Sequence, residues 1–183
     1  NQFHTVSISA ATRSALLTGR NHHMNNMATI TESATSMPGY DGVRPNTIAA
    51  LPKILKYNGY STAMFGKTHE VPAWQTSSAG PSSLWPTGVG FDKFYGFMAA
   101  ESNQYEPVLM DGVTHIPTPR NKGYNLNDDL AEKATQWIKM EKSLTPDKPF
   151  FIYYAPGATH TPHQVSVEWS DKYKGKFDGG WDK

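Results

Sequence analysis

The sequence predicts an α/β fold in which a mostly parallel central sheet is flanked by helices and joined by long loops. Two apolar runs bounded by turn residues, 60–66 and 150–154, are typical of buried strands. A helical pattern precedes each run, over 46–58 and 126–142. Helices that alternate with buried strands indicate a parallel sheet. The 15 glycines and 13 prolines indicate long connecting loops.

The first helix is predicted to begin at Ser9 and to end before Gly19. Ser9 is a favourable N-cap residue, and Gly19 suits the left-handed position that ends a helix. Arg13 follows Ser9 by one turn, so both side chains would lie on one face. Spacing alone also fits a purely structural interpretation, namely a cap followed by an amphipathic helix with an exposed arginine.

The other elements follow from local patterns. The second helix is predicted to begin at Asn46 or Thr47, with Pro52 acceptable only in a first turn or at a kink. A strand is predicted over 91–97, and Asp111-Gly112 is a hairpin turn signal. The third helix carries an apolar face and is predicted to be capped by Asn125 or Asn127.

The composition limits the classes of partner. The chain has 183 residues, enough for a single domain with a core, and its 17 basic and 16 acidic residues give a net charge of +1. This balance argues against a nucleic-acid partner. There is no cysteine, so disulfides and thiolate metal sites are excluded. No apolar run has the length of a membrane span and no signal peptide is recognisable, so we expect no membrane partner and assign no localisation.

Polar groups stand at three predicted strand ends or loop–helix junctions. They are Ser9 with Arg13, Lys67 with His69, and His160 after the last apolar run. If the strands are parallel neighbours, these groups converge on one edge of the sheet. A hydroxyl, two cations and imidazoles together suit a tetrahedral oxyanion. Each residue alone also fits an ordinary role as a solvated cation or a loop histidine.

Three motifs resemble the sulfatase family. The segment 9–19 is similar to the signature C/S-x-P/A-x-R, which in the family continues with two variable residues, two apolar residues, Thr and Gly. Gly66-Lys67-Thr68-His69 is similar to G-K-W-H, and 158–163 resembles A-P-H-x-P. The motifs occur in the family's order. The resemblance implies a partial sulfatase and alkaline-phosphatase-like sandwich and an arylsulfatase-like sulfuric ester hydrolase.

The resemblance also implies a role for each site residue. Ser9 would be oxidised to formylglycine, whose hydrate is the nucleophile, and Arg13 would orient it. His69 would assist the hydrate as a catalytic residue. Lys67 and His160 would bind the sulfate oxygens.

Family members hold calcium, which the formylglycine at position 9 would contact in an intact relative. The acidic pairs that supply the other ligands are not recognisable here. The chain therefore resembles the central portion of a single incomplete N-terminal sulfatase domain over 1–183, lacking both metal-ligand regions. We expect it to bind no calcium and to be inactive alone. An open sheet edge would favour homo-oligomers. The intact parent would be periplasmic or secreted.

The substrate expected from the resemblance is a small-molecule or glycan sulfate ester. Its pocket is expected in variable loops, near Trp74, Trp85 and Tyr105. Two alternatives stay open. One is a phosphoester or phosphonate hydrolase of the same superfamily, and the other is a non-catalytic fragment or binding module.

Overall fold

A computed structural model describes residue 2 and residues 4–179 of the chain. Its helices and strands are, in chain order, α1 (Ser9–Thr18), α2 (Leu51–Tyr57), β1 (Ser61–Lys67), β2 (Lys93–Phe97), β3 (Leu109–Asp111), β4 (Thr114–Ile116), α3 (Leu126–Leu144), β5 (Phe150–Ala155) and α4 (Val167–Ser170). Short 3-10 turns cover Thr31–Ser33, Ala73–Gln75 and Asp171–Tyr173.

The five strands form one mixed sheet in the order β4-β3-β2-β1-β5. The central strand β1 is parallel to β2 and to β5, whereas β3 and β4 are antiparallel to their neighbours. The predicted α/β fold is thus confirmed, with three of the five strands parallel to one another, and the predicted hairpin lies around Gly112. Because β1 and β5 are parallel neighbours, their carboxyl ends open onto the same edge of the sheet.

Near those ends, two glycines of the parallel strands leave no room for a side chain. Gly66 of β1 is in register with Gly96 of β2 and with Ala155 of β5. A Cβ atom on Gly96 would lie 2.0 Å from the Gly66 carbonyl oxygen, and one on Gly66 would lie 2.2 Å from the Ala155 carbonyl oxygen. Only glycine fits both places, so the glycines set the spacing of the strands that carry Lys67.

The core lies on both faces of the sheet. One cluster packs β1 residues Ala63 and Phe65 against α3, where Leu130 and Trp137 are buried. The other packs Met64, which points to the opposite face, against a second group of buried side chains: Leu17, Val71, Trp85, Phe91, Phe94, Met98 and Met110. Alternating side chains of β1 therefore serve both layers, as expected of a strand covered on both sides.

One predicted helix start and one predicted helix cap were wrong. Helix α2 begins at Leu51 instead of Asn46 or Thr47, because the extended Ala50 precedes it and Pro52 occupies the first turn. A first-turn proline loses no hydrogen bond there. Ser9 is the first residue of α1 and not its cap, because the extended Ile8 occupies the N-cap position.

The predicted end of α1 and the predicted start and cap of α3 are confirmed. Gly19 follows α1 in the left-handed conformation, with φ 65°. Helix α3 begins at Leu126 as predicted and continues to Leu144. Its Asn125 side chain accepts a hydrogen bond from the Asn127 amide, which confirms the cap.

In the described part of the chain, β5 pairs on one side only. Self-association through an open edge stays a prediction, as does the single incomplete domain over 1–183. None of the helices between residues 4 and 179 is long and apolar enough to cross a membrane.

Candidate active site

Arg13 joins α1 to the carboxyl ends of β1 and β5. Its Nε donates to the Ser9 hydroxyl at 2.9 Å, as the one-turn spacing predicted. Its Nη1 donates to the Lys67 carbonyl at 3.3 Å and to the Tyr153 hydroxyl at 3.2 Å. One guanidinium therefore fixes the Ser9 hydroxyl relative to the end of the central strand.

Lys67 is the last residue of β1 and is 2% exposed. Burial is the largest of the effects that lower its pKa to about 8; the nearby Arg13 charge also lowers this pKa, and Glu101 and Glu32 oppose both effects. Among the described residues, five ion pairs form and Lys67 belongs to none of them. It thus provides a mostly protonated ammonium at neutral pH that is not neutralised by a bound carboxylate.

His69 forms a pair with Glu32. The ring Nε2 lies 3.0 Å from Glu32 Oε2, and the histidine is 3% exposed with a left-handed backbone (φ 50°). Burial lowers the His69 pKa, and Glu32 opposes that effect. The His69 contact in turn helps to lower the pKa of Glu32 against its own desolvation.

The contact with Glu32 determines which ring nitrogen of His69 carries the proton. An ionised carboxylate only accepts hydrogen bonds, so His69 Nε2 carries the proton. In the neutral ring, Nδ1 then holds the free lone pair, and it has no partner among the described residues. His69 is therefore suited to accept a proton at Nδ1.

His160 lies at the exposed rim of the site. Its Nδ1 is 2.9 Å from the Thr161 carbonyl and 3.4 Å from Glu101 Oε2. Among the described residues, no hydrogen bond joins His160 to Ser9 or Lys67. Glu101 acts on the pKa of Lys67 as well, so one carboxylate links the end of β1 with the loop after β5.

The sequence patterns missed several partners in this site. Glu32 and Glu101 come from loops, and Tyr153 was assigned only to an apolar strand. Glu101 follows β2 closely, so the strand-end argument could have included it. A buried ion pair, Arg44 with Glu70 at 3.7 Å, was also missed.

The prediction that Trp85 lies in a substrate pocket is wrong, whereas Tyr105 does line a cleft. Trp85 is fully buried in the core, where its Nε1 donates to the Gln75 carbonyl at 2.7 Å. Trp74 is 60% exposed. Tyr105 lines a cleft of about 1230 Å³ beside the start of α3.

The residues that the structure describes do not make a calcium site by themselves. Calcium takes six to eight oxygen ligands, many from carboxylates. Between residues 4 and 179, no group of three or more His, Cys, Asp or Glu side chains could hold a metal ion. That this chain binds no calcium stays a prediction.

The chain is similar to sulfatases along its whole length. The sequence profile of the family described as Sulfatase matches residues 1–183. An uncharacterised sulfatase of Schizosaccharomyces pombe is 30% identical over 98% of this chain and 34% of its own length. An arylsulfatase of Klebsiella aerogenes is 26% identical over 99% of this chain and 39% of its own length. The chain thus spans about a third of the length of these curated relatives.

Solved structures agree on the fold. Ps i-CgsB in complex with k-i-k-neocarrahexaose matches with a TM-score of 0.71 and 24% identity, over 91% of this chain and 38% of that one. A protein in complex with its substrate D-glucosamine-2-N,6-O-disulfate matches with a TM-score of 0.61 and 22% identity, over 91% of this chain and 28% of that one. By its fold and by the family profile that covers it, this chain belongs to the sulfatase family.

Proposed function

We propose that this chain supplies the nucleophile and the sulfate-binding groups of an arylsulfatase-like sulfuric ester hydrolase. The observation that carries the proposal is the guanidinium of Arg13, which holds the Ser9 hydroxyl beside the strand end that bears the buried Lys67 ammonium. The substrate class is a small-molecule or glycan sulfate ester. One structural neighbour is described in complex with a sulfated sugar as its substrate, which supports the glycan option.

The nucleophile of the proposal is formylglycine at position 9. A separate maturation enzyme removes two hydrogens from the Ser9 side chain and passes the electrons to an oxidant, which leaves an aldehyde that adds water. One hydroxyl of the hydrate attacks sulfur, and the ester oxygen leaves with a proton. The second hydroxyl then expels sulfate and restores the aldehyde.

His69 is the proposed base for this chemistry. Its free Nδ1 accepts the proton of the hydrate, while the Glu32 carboxylate stabilises the charged ring that forms. Lys67 and His160 bind the non-bridging oxygens of the sulfate group. Arg13 keeps the hydrate oriented through the contact that its Nε now makes with the Ser9 oxygen.

The charges near Lys67 favour sulfate esters over phosphate esters. Arg13 and Lys67 carry two positive charges, and Glu32 and Glu101 act on the same ammonium with two negative charges. A sulfate monoester brings one negative charge, whereas a phosphate monoester approaches two at neutral pH. A site with little net charge therefore favours the sulfate monoester, because its single charge has the smaller desolvation free energy.

We expect the chain with unmodified Ser9 to show no turnover. A serine sulfate ester has no second hydroxyl for its own release, so the enzyme would stop after one attack. Intact mass measurement detects the conversion as the loss of two hydrogen atoms. Measurable hydrolysis of an aryl sulfate by the unconverted chain would contradict the proposed mechanism.

Ligand binding tests the function separately from turnover. NMR titration of the purified chain is expected to show tighter binding of an aryl sulfate than of the matching aryl phosphate. Lys67→Ala should weaken sulfate binding by about tenfold, whereas Lys53→Ala, on the exposed side of α2, should not change it. Tighter phosphate binding would favour the phosphoester hydrolase, and no binding of either would favour a non-catalytic role.

A further inference from the structure

A second concave surface lies beside the candidate active site. A cleft of about 1230 Å³ is bounded by residues 103–106, by the segment before α3, and by the loop and short helix after β5. None of the residues assigned to sulfate chemistry lines it. We propose that this cleft binds an uncharged sugar unit of an oligosaccharide.

The walls carry the groups that recognise sugars. Tyr105 and Trp169 line the cleft and keep 38% and 57% of their surface exposed, so their rings are available to pack against the apolar faces of a sugar. The Lys172 ammonium lies 3.5 Å from the Trp169 ring centroid and helps to hold that ring. Aromatic side chains with accessible surface on a concave wall are suited to a flat, partly apolar ligand such as a pyranose.

Amide donors are also available along the cleft. Asn103 and Gln164 use their side-chain oxygens to accept backbone hydrogen bonds, from Tyr105 at 2.9 Å and from Gln104 at 2.7 Å. Within the part of the chain that is described, their amide nitrogens donate to no protein group. Each amide is thus fixed at one end and free to donate to a sugar hydroxyl at the other.

The buried Gln104 holds the cleft walls together. It is 1% exposed, and its backbone N–H donates to the Gln164 side chain from the opposite wall. Its side-chain oxygen accepts from Asn127 of α3 at 3.2 Å, and its carbonyl accepts from the Leu126 amide at 2.8 Å. A cleft preorganised in this way loses less entropy when a ligand binds.

The charges of the cleft select for a neutral ligand. Glu106 and Asp128 line it together with a single cation, Arg120. This set carries a net negative charge and would repel a densely sulfated chain. Carboxylates and a guanidinium are, in contrast, good partners for sugar hydroxyls.

The cleft shares its loops with the candidate active site. The loop after β2 carries Glu101 as well as Tyr105, and the loop after β5 carries His160 as well as Gln164. A sugar next to the one that bears the sulfate could therefore extend along these loops. That role as a subsite rests on the proposed function, whereas binding of a neutral sugar by the cleft does not.

Saturation-transfer NMR on the purified chain tests the proposal. The probes are neutral tetrasaccharides of glucose, galactose, mannose and N-acetylglucosamine, and a heparin tetrasaccharide as the densely sulfated comparison. We expect at least one neutral probe to bind with a dissociation constant of about 1 mM or below. Trp169→Ala should weaken that binding about threefold to tenfold. Tyr57→Ala, which removes an exposed aromatic side chain of α2 outside the cleft, should leave it unchanged.

Three results would overturn the proposal. They are the absence of binding by every neutral probe at about 10 mM, tighter binding of the heparin tetrasaccharide than of any neutral probe, and equal loss of binding in Trp169→Ala and Tyr57→Ala. Because Trp169 is an exposed residue, its replacement should not unfold the chain, and circular dichroism checks this. If neutral sugars bind but aryl sulfates do not, the result supports sugar binding by the cleft and contradicts the proposed hydrolase function.

Discussion

The buried ammonium of Lys67 leads to a pH dependence that an ordinary lysine would not produce. With a pKa of about 8, this group is about nine-tenths protonated at pH 7 and about one-tenth protonated at pH 9. If sulfate binding needs the charged form, the affinity for inorganic sulfate should fall about tenfold over this interval. Sulfate itself keeps the same charge throughout, so the change must come from the protein.

Isothermal titration calorimetry at pH 7, 8 and 9 measures this dependence. Lys67→Arg is the informative variant, since an arginine stays charged over the whole range. It should retain binding and lose most of the pH dependence, whereas Lys67→Ala should bind weakly at every pH. Glu70 also titrates near pH 7, and any dependence left in Lys67→Arg reports that group. Equal affinities of the wild type at pH 7 and 9, or the same decline in Lys67→Arg, would refute the reasoning.

Three further predictions concern the surroundings of the site. Gly96→Ala should unfold the chain or lower its unfolding free energy by about 3 kcal/mol or more, because the new Cβ would overlap the Gly66 carbonyl; thermal denaturation measures this. The folded pKa of Glu70, about 7, lies above its usual 4.5, so the folded chain binds more protons between these values and its stability decreases as pH rises from 4.5 to 7. Glu70→Gln should remove this decrease, which amounts to about 3 kcal/mol at most, in urea titrations across that range. Glu32→Gln should lower the His69 pKa further, because the carboxylate that favours the charged ring is lost; NMR titration of the ring signals follows it.

Gly96→Ala and Glu32→Gln each have a matched control. Gly59→Ala adds a Cβ that meets no atom within 4 Å, so it should cost only the backbone strain of a left-handed residue, about 1 kcal/mol. Glu132→Gln removes an exposed carboxylate on α3 and should leave the His69 titration unchanged. A Gly96→Ala variant as stable as Gly59→Ala would contradict the close strand spacing. A raised His69 pKa in Glu32→Gln would contradict the assigned pair.

Local patterns predicted those features that depend on a few neighbouring residues. The glycine end of α1, the asparagine cap of α3 and the Asp111-Gly112 turn are all set by short-range geometry, and the structure has all three. The predicted start of α2 was too early, because the helical spacing of apolar residues extends beyond the first hydrogen-bonded turn. Pro52 fixes where that turn lies. Short-range signals thus give the type of an element more reliably than its boundary.

The contacts of the candidate site also differ in how far they could be predicted, according to whether they lie within one element or join distant segments. The Ser9–Arg13 contact lies within one helix, so its spacing was readable in advance. Glu32 and Glu101 reach the site from distant loops and Tyr153 reaches it from β5, so only the tertiary packing brings them together. Trp85 was misplaced for a related reason, since an aromatic residue in a polar loop can equally well fill the core.

The single guanidinium that contacts both α1 and β1 has a mechanical consequence. Its hydrogen bonds to the Ser9 hydroxyl and to the Lys67 carbonyl restrain the start of the helix relative to the end of the strand. Shortening this one side chain would remove both restraints, so that the helix and the strand end could shift relative to each other while each kept its own backbone structure.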